Sequence, residues 1–166
     1  LVGIDRKRHK RDSYNASNKI MAAFAEADLG FGERLFLNAG LRAEASDQGV
    51  KYNDDVEDRE RHLKAFDLFP AVNIKYSVDG QSALRLALSR TITRPSFIEM
   101  APFLYQESFG GTQLRGNESL KNGYNWNVDL KYEYFADQSE DMFTLTGYFK
   151  YLDSPIERTQ RLSGGA

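Results

Sequence analysis

Apolar and polar residues take turns along most of this chain. In "RLFLNAGLRAEA", Leu35, Leu37, Ala39, Leu41, Ala43 and Ala45 hold every second position. Arg34, Asn38, Arg42 and Glu44 stand between them, with Phe36 as the exception. A period of two marks a strand with one apolar and one polar face. The same pattern returns in "NGYNWNVDLKYEYF", where Tyr124, Trp126, Val128, Leu130, Tyr132 and Tyr134 alternate with Asn125, Asn127, Asp129, Lys131 and Glu133. It recurs in "LFPAVNIKYSV", in "SALRLALSRTIT" and in "MFTLTGYFKYL". "KIMAAFAEADLGF" alternates less cleanly, and its best face is Met21, Ala23, Ala25, Ala27 and Leu29. The pattern predicts six strands, at roughly 18–30, 34–46, 67–78, 82–94, 122–135 and 141–153.

The connections alternate as well. "GFGE", "DGQS" and "DQSED" are short and rich in turn residues. Between them fall two long stretches, "SDQGVKYNDDVEDRERHLKAF" and the run of more than about twenty-five residues after Thr93. This order predicts an all-β, antiparallel up-and-down meander of six or seven long strands, with connections of two kinds at its two ends. The strands are longer than the five or six residues usual in soluble sheets. They suit the roughly 9–11 tilted residues that carry a β-strand across a bilayer. A β-sandwich with one wet face has the same periodicity. The alternative is therefore a soluble or surface-attached carbohydrate-binding module. Strand length, loop asymmetry and aromatic residues near strand ends favour an open segment of a transmembrane barrel.

Composition bounds the rest. A chain of 166 residues suffices for one domain. A net charge of −2 offers no basic field for nucleic acid. The absence of cysteine excludes disulfides and thiolate metal sites. No apolar run reaches the length of a spanning helix, and "LVGIDRKRHKRD" lacks the apolar core of a signal peptide. The mean hydropathy of −0.57 is low, as spanning strands allow, because they alternate.

Several linked stretches resemble the barrel of TonB-dependent outer-membrane receptors. They are "IMAAFAEADL", "LFLNAGLRAE", "LFPAVNIKYSVDG", "LRLALSRTITRPSFIEMAPF", "RGNESLKNGYNWNVDLKYEYF" and "FTLTGYFKYLDSPIE", in that order. The resemblance runs from about Tyr14 onward. It implies a segment of a barrel of about 22 strands closed by a plug. It also implies import of a scarce nutrient (metal chelate, vitamin or glycan fragment) across the outer membrane of a Gram-negative bacterium. The implied partners are outer-membrane lipid, the receptor's own plug domain, the TonB complex and a small-molecule or oligosaccharide substrate. A plug, a TonB box and an aromatic-ended final strand are missing from the sequence. Residues 1–166 are thus expected to be a partial barrel, with 1–17 a possible truncated strand and loop.

Catalysis finds little support. His9 and His62 are the two imidazoles, and no metalloprotease or nucleophile motif is present. "NDDVEDRE" lacks the glycine and spacing of a calcium loop. Neither an enzyme, a cofactor nor a metal is expected. On the barrel reading, Arg42, Glu44, Arg85, Lys131 and Glu133 line the lumen and face the plug. Tyr105, Phe109, Gln113 and Arg115 lie on the longest loop and are the ligand-binding candidates.

Overall fold

A computed structural model describes residues 14–53, 57–102, 104–105, 114–136 and 141–159. The alternating segments are strands β1 (Tyr14–Phe31), β2 (Leu35–Asn53), β3 (Asp58–Ser77) and β4 (Ser82–Thr93). The connection after β4 holds a short helix α1 (Phe97–Met100) and the small strands β5 (Leu104–Tyr105) and β6 (Leu114–Arg115). Strands β7 (Gly123–Phe135) and β8 (Met142–Asp153) follow. The six long strands form one sheet in the order β1-β2-β3-β4-β7-β8, while β5 and β6 pair separately. This is the antiparallel meander that the alternation predicts. A sandwich would divide these strands between two layers; here they share one ladder.

The described residues fall into two compact units. One holds β1 up to Ala23, Arg42–Leu68 and Pro95–Lys121; the other holds Phe24–Leu41, Phe69–Arg94 and the chain from Asn122 onward. In the second unit the register aligns the apolar positions into rows. Tyr76 pairs with Leu84, Leu84 with Tyr132, and Tyr132 with Leu145. Ile74, Leu86, Leu130 and Gly147 form the next row, and Val72, Leu88, Val128 and Phe149 the one beyond. Side chains in such rows point to one side, because successive Cβ atoms in a strand alternate. The face stays uncovered: Leu130 is 51% and Leu145 63% exposed. Each CH₂ left in water forgoes about 0.8 kcal/mol, so these rows call for an apolar medium.

Two turns of this unit are fixed by local chemistry. Gly32 takes φ +63°, a left-handed conformation that glycine adopts without penalty. Between β3 and β4, Asp79 Oδ1 accepts from the backbone N–H groups of Gln81 and Ser82 at 2.9 and 2.6 Å and from Ser82 Oγ at 2.7 Å. These donors, the Ser82 hydroxyl foremost, hold the Asp79 carboxyl below its ordinary range.

In the first unit the structure departs from the sequence reading. Residues 46–66, expected to be a long loop, are mostly strand: β2 runs on to Asn53 and β3 begins at Asp58. Beyond the apolar rows both faces of a strand carry polar residues, so hydrophobic alternation no longer marks it. The first strand also starts at Tyr14 rather than about residue 18, while residues 1–13 lie outside the described part. The second long connection shares a core with β2 and β3, in which Met100 and Ala101 are fully buried with Val50, and Tyr52, Leu63 and Phe97 pack alongside. Its two ends are tied to the long strands. Gln48 Nε2 donates to the Pro95 carbonyl at 2.7 Å, and Arg61 Nη2 donates to the Leu120 carbonyl at 2.7 Å. Glu99 reaches back to the Ser96 N–H at 2.9 Å and closes the start of α1.

Gly116 crosses this connection closely. A Cβ at that position would stand 1.9 Å from the Ala101 carbonyl oxygen and 2.6 Å from that of Ile98. Gly116→Ala should therefore displace backbone and cost about 1–3 kcal/mol, the range for overpacking. Limited proteolysis should cut the variant between Pro95 and Lys121 faster than the parent. Equal cutting rates would show that the connection is held elsewhere.

Candidate functional site

The polar face of the second unit carries its chemistry. Alternation that sends leucines to one side of β4 and β7 sends Arg85, Lys131 and Glu133 to the other. Arg85 and Lys131 are direct cross-strand partners. Glu133 lies between them: Arg85 Nε donates to Oε2 at 2.6 Å and Lys131 Nζ to Oε1 at 2.6 Å. The carboxylate is buried and both cations are half-exposed, so the trio presents net positive charge. On the neighbouring strands Asn38 is a hub. Its Nδ2 donates to Glu26 Oε1 at 2.5 Å and Asp28 Oδ1 at 2.8 Å, while its Oδ1 accepts from Asn73 Nδ2 at 3.0 Å. A pocket opens here, lined by Asp28, Asn38, Asn73, Lys75, Arg85 and Lys131 among others. Charges of both signs fixed on rigid strands make a surface for recognising a polar partner.

Of the residues singled out from sequence, Arg85, Lys131 and Glu133 are brought together. Arg42 and Glu44 form a pair of their own in the other unit, with Arg42 Nη2 2.8 Å from Glu44 Oε2. Tyr105 and Arg115 sit on the small β5–β6 ladder, Tyr105 opposite Leu114 and Arg115 opposite Leu104. Phe109 and Gln113 lie outside the described residues.

Sequence reasoning missed an ion cluster in the first unit. His62 Nδ1 meets Asp47 Oδ1 at 2.6 Å and His62 Nε2 meets Glu60 Oε1 at 3.0 Å. Lys51 joins Glu60 at 3.0 Å, and Lys64 lies 3.8 Å from Asp47. These residues stand beyond Ala45 and Phe66, where the apolar alternation of β2 and β3 stops. Once that stretch is read as a hairpin, opposite charges at alternate positions on its two arms become the signal. The Asp47 hydrogen bond, then the Glu60 one, raises the His62 pKa above its ordinary 6.5. The His62 hydrogen bond in turn lowers both carboxyls, Asp47 below 3.8 and Glu60 below 4.5. The carboxylates lend stability above their ordinary values and lose it as pH falls through the lowered ones. His62 lends stability below 6.5 and loses it as pH rises through the raised value. The cluster is thus at full strength between pH 4.5 and 6.5.

A continuous ladder with one bare apolar face and one charged face defines a membrane-spanning β-sheet. No helix among the described residues is long and apolar enough to cross a membrane; the strands are what cross. A family model agrees: residues 4–163 match the outer membrane protein beta-barrel family. The chain belongs to that family. No curated protein matches it. The apolar rows are therefore the lipid-facing surface of an outer-membrane barrel, and the polar face looks inward.

Two outcomes follow. By NMR, His62 should titrate above 6.5, and Asp47→Asn should move it down; a value unmoved by that substitution would remove the pair from the account. On β4, Leu86→Arg places a cation on the lipid face and should destabilise the folded barrel by about 2–4 kcal/mol. Ala87→Arg, one residue along on the polar face, should cost much less. Reconstitution followed by denaturant titration compares them, and equal losses would contradict the assignment of faces.

Proposed function

We propose that this chain is part of the barrel of a TonB-dependent receptor that imports a scarce nutrient. The cargo class is a metal chelate, a vitamin or a glycan fragment. The observation that carries the proposal is the ordered series of receptor-like stretches along the sheet, ending in the Arg85–Glu133–Lys131 trio on its inward face. A fixed trio whose carboxylate is buried suits a wall that meets a second protein surface, and a plug domain supplies one. The connection from β4 to β7 supports the same reading. Loops of such length are uncommon and tend to carry function, and this one is packed against Val50 and Leu63 of β2 and β3. Its β5–β6 ladder, with Tyr105 and Arg115, is the proposed ligand contact, together with Phe109 and Gln113. Capture at these loops would precede plug movement driven from the periplasm by the TonB complex.

The test is uptake by whole cells carrying the intact gene or its deletion. Growth on limiting iron chelate, cobalamin or oligosaccharide should fail for one nutrient class on deletion. It should fail equally when energy coupling is abolished with the receptor present. Uptake that survives loss of energy coupling would identify a passive channel and overturn the proposal.

A further inference from the structure

Neighbouring residues of the β2–β3 hairpin serve two different tasks. Gln48 and Val50 of β2 and Arg61 and Leu63 of β3 hold the β4–β7 connection. Gln48 and Arg61 bond the Pro95 and Leu120 carbonyls, and Val50 and Leu63 pack with Met100 and Ala101. Alternation places Asp47, Gly49 and Lys51 between them on β2, and Glu60, His62 and Lys64 on β3, facing the opposite side. There both ring nitrogens of His62 meet carboxylates, Nδ1 at 2.6 Å from Asp47 Oδ1 and Nε2 at 3.0 Å from Glu60 Oε1. A neutral imidazole has one N–H and can donate to one of them; the imidazolium donates to both. Among the described residues the other charges on the cluster are cations. Lys51 pairs with Glu60, Lys64 lies near Asp47, and Lys19 of β1 also acts on Asp47. Gly49 leaves room for the ring, since a Cβ there would stand 3.1 Å from His62 Cε1 and 2.9 Å from the Ser17 Oγ of β1.

We infer that His62 is a proton-operated latch on the β4–β7 connection. Charged, it ties β2 to β3 and so keeps the seat of the connection closed; neutral, it lets hairpin and connection open together. The coupling is local. Met100 and Ala101 are buried against Val50, so the connection cannot keep its core once the two arms part. Any bond that joins the arms therefore adds to the free energy of that opening. The latch holds fully below 6.5 and weakens as pH rises through the raised value of His62. At the acid end it weakens again as Asp47 and Glu60 take up protons below their ordinary values. The device concerns the connection itself and is independent of transport and of any nutrient.

The intact barrel protein, purified in detergent, would carry a single reporter cysteine in place of the fully buried Ala101. A second version carries it at the exposed Ser119, which sets the reactivity of an open thiol at each pH. The ratio of maleimide labelling rates, Ala101→Cys over Ser119→Cys, measures opening. From about pH 6 to about pH 9 the ratio should rise about two- to fivefold, the weight of one or two exposed ion pairs. With His62→Gln added it should be high at both ends, and with His62→Arg, charged throughout, low at both. Proteolysis of the unsubstituted chain between Pro95 and Lys121, scaled to an unfolded substrate at each pH, should follow the same course. That measurement stands even where Ala101→Cys packs poorly. A ratio and a cleavage rate that ignore pH would overturn the inference. So would a pH response that survives His62→Gln, or opening that falls as pH rises over this range.

Discussion

Everything in this protein depends on the pairing ladder having a single register. A strand bathed by hydrocarbon on one side and water on the other cannot slip by one residue, because every side chain would then change faces. The rows Tyr76–Leu84–Tyr132–Leu145 and Lys75–Arg85–Lys131–Thr146 are two consequences of that one alignment. Between neighbouring strands the ladder also pairs backbone N–H and C=O groups where no water can do so, which is why a sheet can cross a membrane at all. Lipid contact and the charged inner wall are thus produced together by the pleat. A slip of register must disturb both.

The inner wall gains its character from an imbalance. Glu133 is buried between two cations that remain half-exposed. Both carboxylate oxygens are engaged, so removing either cation would leave a buried charge half-answered, a costly state. The trio behaves as one unit with spare positive charge toward the lumen. Across the face, Asn38 gathers Glu26 and Asp28, and holds negative charge in place on β1. Ordered strands carry these groups, so whatever docks here meets a surface already set.

Within the apolar band the sequence is close to transparent. There the medium changes from one side of each strand to the other, and composition must follow at every residue; the positions from Leu84 to Leu88 and from Tyr124 to Tyr134 could be assigned at sight. Outside the band the same strands carry on unannounced. Val50, Tyr52 and Leu63 belong to a hairpin extension that reads as a loop, since Asp47, Lys51, Glu60 and Lys64 break the alternation. The Arg85–Glu133–Lys131 trio was visible as residues on one face, and its geometry needed the register. The His62 cluster was hidden, because its members sit on arms whose pairing the sequence does not show. The split has a physical root. Hydrophobic burial imprints a period, whereas hydrogen bonds and ion pairs depend on which strands meet.

The connection between β4 and β7 is secured at its margins. Gln48 grips the backbone carbonyl of Pro95 and Arg61 that of Leu120. Carbonyls are common to all residues, so these clamps place no demand on the side chains they hold. Near the margins, Met100, Ala101 and Gly116 carry the packing. Tyr105, Leu114 and Arg115 lie on the separate β5–β6 ladder. The hydrogen bonds that anchor this connection would thus survive a change of side chain at either clamped position.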